Sequence, residues 1–309
     1  MILCSGEALI DMLPRDSTGG EACFAPVAGG SVFNTAIALA RLGAPVGLFT
    51  GLSDDLFGQR LAQALDRDGV ATALANRSSR PTTLAFVELT DGQARYAFYD
   101  ENTAGRLLVE DDLPTAAALT EVTAFFFGGI SLMVEPCGAA YAALLGRVPE
   151  HRPVMLDPNI RPAFIAEPDR YRARIDAMLS RADILKVSDE DLSWLVGPGD
   201  PTDQARRLLE RGPKIVCLTE GAQGVTAHHA AGHLHVRAPR VDVVDTVGAG
   251  DTFNAGFLAG LHAAHALDRD ALLHPDEDVL EDALSLGVAA AAVTVSRAGA
   301  NPPKRAELP

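Results

Sequence analysis

The sequence predicts an α/β protein: a mainly parallel sheet covered by helices on both faces, with a small β appendage. Three observations predict it. Short apolar runs rich in Val, Ile, Leu and Phe recur along the chain and mostly stop at Gly, Asp or Ser, which marks buried strands. Between them apolar residues return at helical spacing, and strands alternating with helices imply parallel pairing. One region departs from this rhythm, because two β-like runs flank Asp91-Gly92 with no helix between them.

Taken in order, strand-like runs cover residues 2–10, 45–50, 123–127, 153–157, 182–187 and 214–218. Helical spacing is plain in Val32, Ala36, Leu39 and Leu42, and again in Leu284, Val288, Ala292 and Val295. Runs 82–89 and 94–99 predict a hairpin turning at Asp91-Gly92, with Leu84 and Phe86 sharing a face with Tyr96 and Phe98. Residues 11–28 are loose, carry Pro14, Gly19, Gly20 and Pro26, and do not read as core. Together with the hairpin they predict a β lid of residues 11–28 and 81–105, set on an α/β core of residues 1–10, 29–80 and 106–309.

Composition narrows the functions open to such a fold. A chain of 309 residues, 48% hydrophobic, supports one large core with a small addition. The net charge of -15 repels nucleic-acid backbones and anionic lipid, so the expected ligand is a small molecule and neither nucleic acid nor membrane. An anionic ligand is still admissible where helix-start amides or a bound Mg²⁺ supply local positive potential. Cys4, Cys23, Cys137 and Cys217 form no Cys-x-x-Cys pair and read as reduced. The first apolar run carries Glu7 and Asp11 without a basic segment before it, and no 18-residue apolar stretch follows, so a cytoplasmic location is expected.

The chemistry is concentrated in residues 241–258, VDVVDTVGAGDTFNAGFL. A Val alternation reads as a strand, Gly248-Ala249-Gly250 as a turn, and Phe253, Phe257 and Leu261 as the apolar stripe of a helix. Small residues at a helix start leave amides that a phosphoryl group can approach closely. Asp251 then stands where a carboxylate can take a proton from a substrate hydroxyl while the amides stabilise charge. As a lone motif, Asp251 would read as an ordinary helix cap. Neither a Walker A loop nor a Gly-x-Gly-x-x-Gly fingerprint occurs. Residues 28–43, AGGSVFNTAIALARLG, offer Gly29 and Gly30 for close approach and Asn34 as donor and acceptor to a polyol.

These two stretches resemble the paired signatures of the ribokinase-like carbohydrate kinases, and the similarity extends over essentially the whole chain. The resemblance implies a ribokinase-like three-layer sandwich with a small β-sheet lid, and a transfer of phosphoryl from ATP to a sugar. It implies Asp251 as catalytic base, the Gly248, Ala249 and Gly250 amides as the anion hole, and Gly29, Gly30 and Asn34 as sugar contacts. Residues 219–224, TEGAQG, resemble the family's ATP-lining turn and bring Thr219, Gly221 and Gly224. Residues 186–191, KVSDED, resemble the element that organises Mg²⁺ through water. They put Lys186 and Ser188 at the nucleotide and Asp191 at the metal, with Glu190 as substitute. Residues 294–302, TVSRAGANP, resemble a K⁺-holding loop, with Asp245 and the carbonyls of Val247, Ser296 and Gly299 as ligands, although Pro303 stands where some relatives carry Ser.

The opening GEALID looks like that of bacterial fructokinases, the run DPNIR at 157–161 resembles fructokinases and 2-keto-3-deoxygluconate kinases, and the run YAFYDENTAGR at 96–106 leans toward fructokinase. They add Asp11, Phe98 and Asn102 as sugar contacts and Arg161 as a contact to the sugar or the phosphate, and imply D-fructose, phosphorylated at its 6-hydroxyl. A kinase for 2-keto-3-deoxygluconate, tagatose or a nucleoside is the nearest alternative. An inactive sugar sensor and a nicotinamide-dependent oxidoreductase stand further off. A homodimer through the lid is the expected assembly, since an exposed sheet edge invites a second copy.

Overall fold

The computed structural model describes residues 1–90 and 93–308. The chain runs through β1 (Ile2–Ser5), β2 (Leu9–Asp16), β3 (Ala22–Gly29), α1 (Ser31–Arg41), β4 (Val46–Phe49), β5 (Gly51–Ser53), α2 (Leu56–Asp68) and β6 (Asn76–Ser78). It continues with β7 (Leu84–Thr90), β8 (Gln93–Tyr99), β9 (Ala124–Gly128), α3 (Cys137–Gly146), β10 (Val154–Asp157), α4 (Pro168–Leu179), β11 (Ile184–Ser188), α5 (Asp189–Val196) and α6 (Pro201–Leu209). The last part holds β12 (Ile215–Thr219), β13 (Val225–His229), β14 (Gly232–Val236), α7 (Ala249–Ala263), α8 (Arg269–Leu273) and α9 (Glu277–Val295).

Eight strands form the central sheet in the order β14-β13-β12-β11-β10-β9-β1-β4. From β12 to β4 every pairing is parallel, and β13 and β14 extend the sheet antiparallel. Side chains alternate across it: Ile2, Cys4 and Phe126 enter one apolar cluster, Leu3, Phe125 and Phe127 the other. The first cluster is closed by α1, α2, α7 and α9, the second by α3, α4, α5 and α6. The result is three layers. Ten of the fifteen residues of α7 are buried, which its sequence allows because it is apolar or small nearly all round. No helix among the described residues is long and apolar enough to cross a membrane.

Four strands in the order β3-β2-β7-β8 make a separate small sheet. It is antiparallel except where β2 and β7 pair parallel. Ile10, Met12, Ala28 and Leu84 pack its root against the first cluster. Beyond the root, Phe86 makes edge contacts with Phe24 at 5.0 Å and Tyr99 at 5.3 Å between ring centroids.

Several sequence expectations need correction. The run 2–10 is two strands, because residues 6–8 leave the large sheet and Leu9 begins the small one. The residues read as loose at 11–28 form most of the β2–β3 hairpin, Pro14 and Pro26 notwithstanding. The Asp91-Gly92 turn and the side chain of Tyr96 lie outside the described residues, but the register of β7 and β8 is set. Leu84 opposes Tyr99, Phe86 opposes Ala97 and Ala85 opposes Phe98, so Phe98 shares a face with Ala85, not with Leu84 and Phe86. The Val alternation at 241–244 joins no strand, and Val241, Val243 and Val244 are exposed.

Candidate active site

Gly248 supplies the turn that opens α7. Its φ of 78° is left-handed, and a Cβ there would lie 2.7 Å from the Cβ of Ala300, so only glycine fits. The Ala249 amide donates to Thr246 at 3.3 Å, which removes it from the expected anion hole. The Gly248, Gly250 and Asp251 amides have no acceptor among the described residues. A bare helix start of this kind attracts anions.

Asp251, in the first turn of α7, is 8% exposed. Ser31 Oγ donates to its Oδ1 at 2.7 Å and Asn34 Nδ2 to its Oδ2 at 2.9 Å. Burial pushes its carboxyl up to about 7; the two hydrogen bonds and the Lys186 ammonium pull against that, and Asp157 adds to it. A carboxylate held near neutrality is suited to accept a proton at physiological pH.

Below the turn lies a buried polar cluster. Lys186 Nζ stands 3.3 Å from Asp157 Oδ2, and the same oxygen accepts from Asn254 Nδ2 at 2.7 Å. Burial alone would lower the Lys186 pKa, but Asp157, Asp191 and Asp251 hold it above its ordinary value, so the side chain is a fixed cation. It points at the helix start: a Cβ on Gly250 would be 3.2 Å from its Nζ.

The nucleotide-side expectations fall into two groups. Thr219, Gly221, Gly224, Ala249 and Gly250 line one cavity of about 550 Å³, whose far walls are Val241 and Val243 on one side and Val288, Ala292 and Val295 of α9 on the other. Ser188 and Asp191 are not among its lining residues. They cap α5 reciprocally: Asp191 Oδ2 accepts from the Ser188 amide at 3.0 Å and its hydroxyl at 2.8 Å, and Oδ1 accepts from the Ile160 amide at 2.8 Å. Three of the roughly four acceptor sites of the carboxylate expected to hold metal-bound water are thus taken up inside the protein. Glu190 is exposed.

Asp245 organises the loop before α7. Its Oδ1 accepts from Val247 N and its Oδ2 from Gly299 N, at 3.0 and 2.9 Å, so two expected cation ligands are gathered around the third. The Gly299 carbonyl accepts from Asn301 N at 2.8 Å, and Ser296 Oγ donates to Val293 O at 2.8 Å, capping α9.

On the sugar side, Asp11 projects from β2 against Gly29, where a Cβ would stand 2.2 Å from Asp11 Oδ2. Burial pushes the Asp11 carboxyl up to about 6. Gly30 precedes α1 with φ 105°, and Asn34 lies in its first turn. Of the three remaining expected contacts, Phe98 shares the face of the small sheet that carries Asp11, with Ala85 between them. Phe98 packs edge-on against Phe164, with centroids 4.3 Å apart; Asn102 sits exposed in a left-handed turn; and Arg161, exposed, donates to the carbonyl of Ile160.

Two participants had not been singled out from the sequence. Ser31 touches Asp251, and Glu7, 8% exposed, accepts the Ser31 amide at 3.1 Å and the Ser131 amide at 3.3 Å. The interruption of an apolar run by Glu7 was the available signal.

Comparison with known proteins matches residues 1–307 to the model of the pfkB family carbohydrate kinases. The chain belongs to this family. Among curated pfkB proteins, it is 49% identical over 282 residues to a fructokinase of Rhizobium leguminosarum bv. trifolii, covering 91% of this chain and 86% of that one. Among solved structures it is similar to a fructokinase with bound ATP from Xylella fastidiosa, with TM-score 0.88 and 29% identity over 100% of this chain and 94% of that one. It is also similar to aminoimidazole riboside kinase from Salmonella enterica complexed with aminoimidazole riboside and an ATP analog, with TM-score 0.80 and 27% identity over 97% and 94%. The three-layer sandwich with a small sheet described above is thus a ribokinase-like fold.

Proposed function

We propose that this chain is a cytoplasmic ATP-dependent fructokinase that transfers the γ-phosphoryl group to the 6-hydroxyl of D-fructose. The observation that carries this reading is the buried Asp251 beside unpaired helix-start amides, in a chain 49% identical to a fructokinase. ATP occupies the cavity between the 219–224 turn and α9, with its phosphates directed at the Gly248, Gly250 and Asp251 amides and Lys186. Fructose lies between the small sheet and α1, its hydroxyls on Asp11 and Asn34, its face on Phe98, with Asn102 and Arg161 closing over it. As the phosphoryl arrives, Asp251 takes the proton of the attacking hydroxyl while amides and Lys186 offset the charge of the transferring group.

Mg²⁺, when bound, neutralises charge on the phosphates. Of the acidic run at the start of α5, the exposed Glu190 fits a water-mediated contact to it, whereas Asp191 is committed to the helix cap. The Asp245 loop, with Val247, Ser296 and Gly299, is the candidate seat for K⁺. Equal rates in K⁺, in Na⁺ and in neither would remove that assignment. A homodimer through the small sheet is supported by the exposed Phe24 and Tyr99 on one of its faces, and a monomeric mass in sedimentation would exclude it.

The test is ADP release from MgATP with fructose, tagatose, glucose, ribose, adenosine and 2-keto-3-deoxygluconate. Turnover with fructose above the others is expected. Preference for another member would move the substrate and leave the roles intact. Asp251→Asn is expected to fold, bind both substrates and lose about 10²–10⁴ in kcat; wild-type turnover in that variant would overturn the assignment of the base.

A further inference from the structure

The pairing of Ser31 with Asp251 is not explained by the reaction outlined above. Asn34 already donates to one carboxylate oxygen, and Ser31 Oγ donates to the other at 2.7 Å. The hydroxyl is also held from behind. Glu7, buried where the chain leaves β1, accepts the Ser31 amide at 3.1 Å through one oxygen and the Ser131 amide at 3.3 Å through the other. One carboxylate thus ties the start of α1 to the end of β9, and the Ser31 hydroxyl is fixed within reach of α7.

We propose that Ser31 is a positioning residue for phosphoryl transfer, its hydroxyl orienting the Asp251 carboxylate and favouring the ionised form that can accept a proton. The proposal rests on the reading of Asp251 as base and adds a residue to it. The geometry supports it in two ways. A donor on each oxygen leaves the carboxylate a single plane, so the remaining lone pairs point in a fixed direction. A hydroxyl also stabilises a carboxylate more than a carboxylic acid, because it donates to the charged form. The other charged groups facing Asp251 are Lys186 from β11 and Asp157 from β10, with Glu7 lying behind Ser31. Lys186 and Asp157 are paired with each other, so Ser31 and Asn34 are the direct neutral donors to the base.

The test compares wild type, Ser31→Ala and Ser31→Thr in pH profiles of kcat/KM for the sugar, together with ¹³C-carboxyl NMR titration of Asp251, assigned by loss of its signal in Asp251→Asn. Removal of the donor is expected to move the acid limb and the Asp251 titration to higher pH by about one unit, as for loss of a hydrogen bond to a charged group. Ser31→Thr, which keeps the hydroxyl, is expected to restore both. Reduced kcat with limb and titration unmoved would overturn the proposal and leave Ser31 a packing residue. Should Ser31→Ala not fold, Ser31→Cys, with its weaker donor, carries the same comparison. The NMR titration does not depend on turnover. An Asp251→Asn variant with full activity would therefore refute the base while leaving the Ser31 effect on Asp251 separately readable.

Discussion

Asp251 is costly to keep where it is. Its carboxyl titrates near 7 in the folded chain against an ordinary value of 3.8, chiefly because burial disfavours the charge. A folded-state pKa raised in this way makes protonation stabilising: the contribution is full below about 4 and is lost as pH rises through 7. Two outcomes follow. With Asp251 as the proposed base, activity should climb with pH through about 7 as its carboxyl ionises, a limb that pH-rate profiles would locate. At pH 8, thermal melting of Asp251→Asn should lie a few degrees above wild type, because the variant is relieved of a buried charge; a lower melting temperature would contradict the burial argument. Asp251 and its glycine turn were singled out because the stretch resembles a family signature; as a lone motif the acid reads as a helix cap. Ser31, Glu7 and the Asp157–Lys186–Asn254 cluster were not legible as a network, since their partners lie up to 220 residues away and only the fold brings them together.

Among the elements, the most instructive reading is the Val alternation before α7. Period-two apolarity signals a half-buried strand, and the same signal is produced by an extended segment whose apolar side faces a ligand cavity instead of a neighbouring strand. Val241 and Val243 form such a wall. The β7–β8 faces were misread for a different reason. A two-residue turn pairs even-numbered positions with odd ones, so a face is assigned by register and not by matching parity. One helix start anchors the small sheet. Asp55, before α2, accepts from Gly58 N at 2.7 Å, Thr82 Oγ1 at 2.6 Å and Thr82 N at 2.8 Å, joining the helix to the chain that enters β7. Partial burial would raise its carboxyl, but these hydrogen bonds outweigh burial and hold it below the usual range. Asp55→Ala should therefore cost about 1–2 kcal/mol in denaturant unfolding at neutral pH. The difference from wild type should shrink as pH falls below the ordinary carboxylate range, and a pH-independent difference would refute the assignment.

At the scale of the molecule, the alternation of strands and helices was enough to foresee the parallel sheet and its two covered faces, because each apolar run must be buried on both sides. The β13–β14 extension was not foreseen: its four His residues interrupt the apolar runs that mark strands, although His228 and His229 are buried and the edge of the sheet is β14. The small sheet meets the opposite wall through Phe98 and Phe164. Aromatic pairs of this geometry contribute about 0.5–1.5 kcal/mol. Phe164→Ala is accordingly expected to raise KM for the sugar by roughly 2–10-fold and to increase ADP release when sugar is absent, because the wall no longer holds the sheet against water. Unchanged values for both would show that the contact does not take part in closure.

Asp251, Ser31 and Asn34 all ride on α1 and α7, two helices seated in one apolar cluster, whereas Asp11 and Phe98 ride on the small sheet. Asn34 joins the two groups, donating to Asp251 while serving as a proposed sugar contact. Under the proposed roles, substitution of Asp11 in β2 or Phe98 in β8 would act on the choice of polyol without removing the Ser31 and Asn34 donors that hold the Asp251 carboxyl.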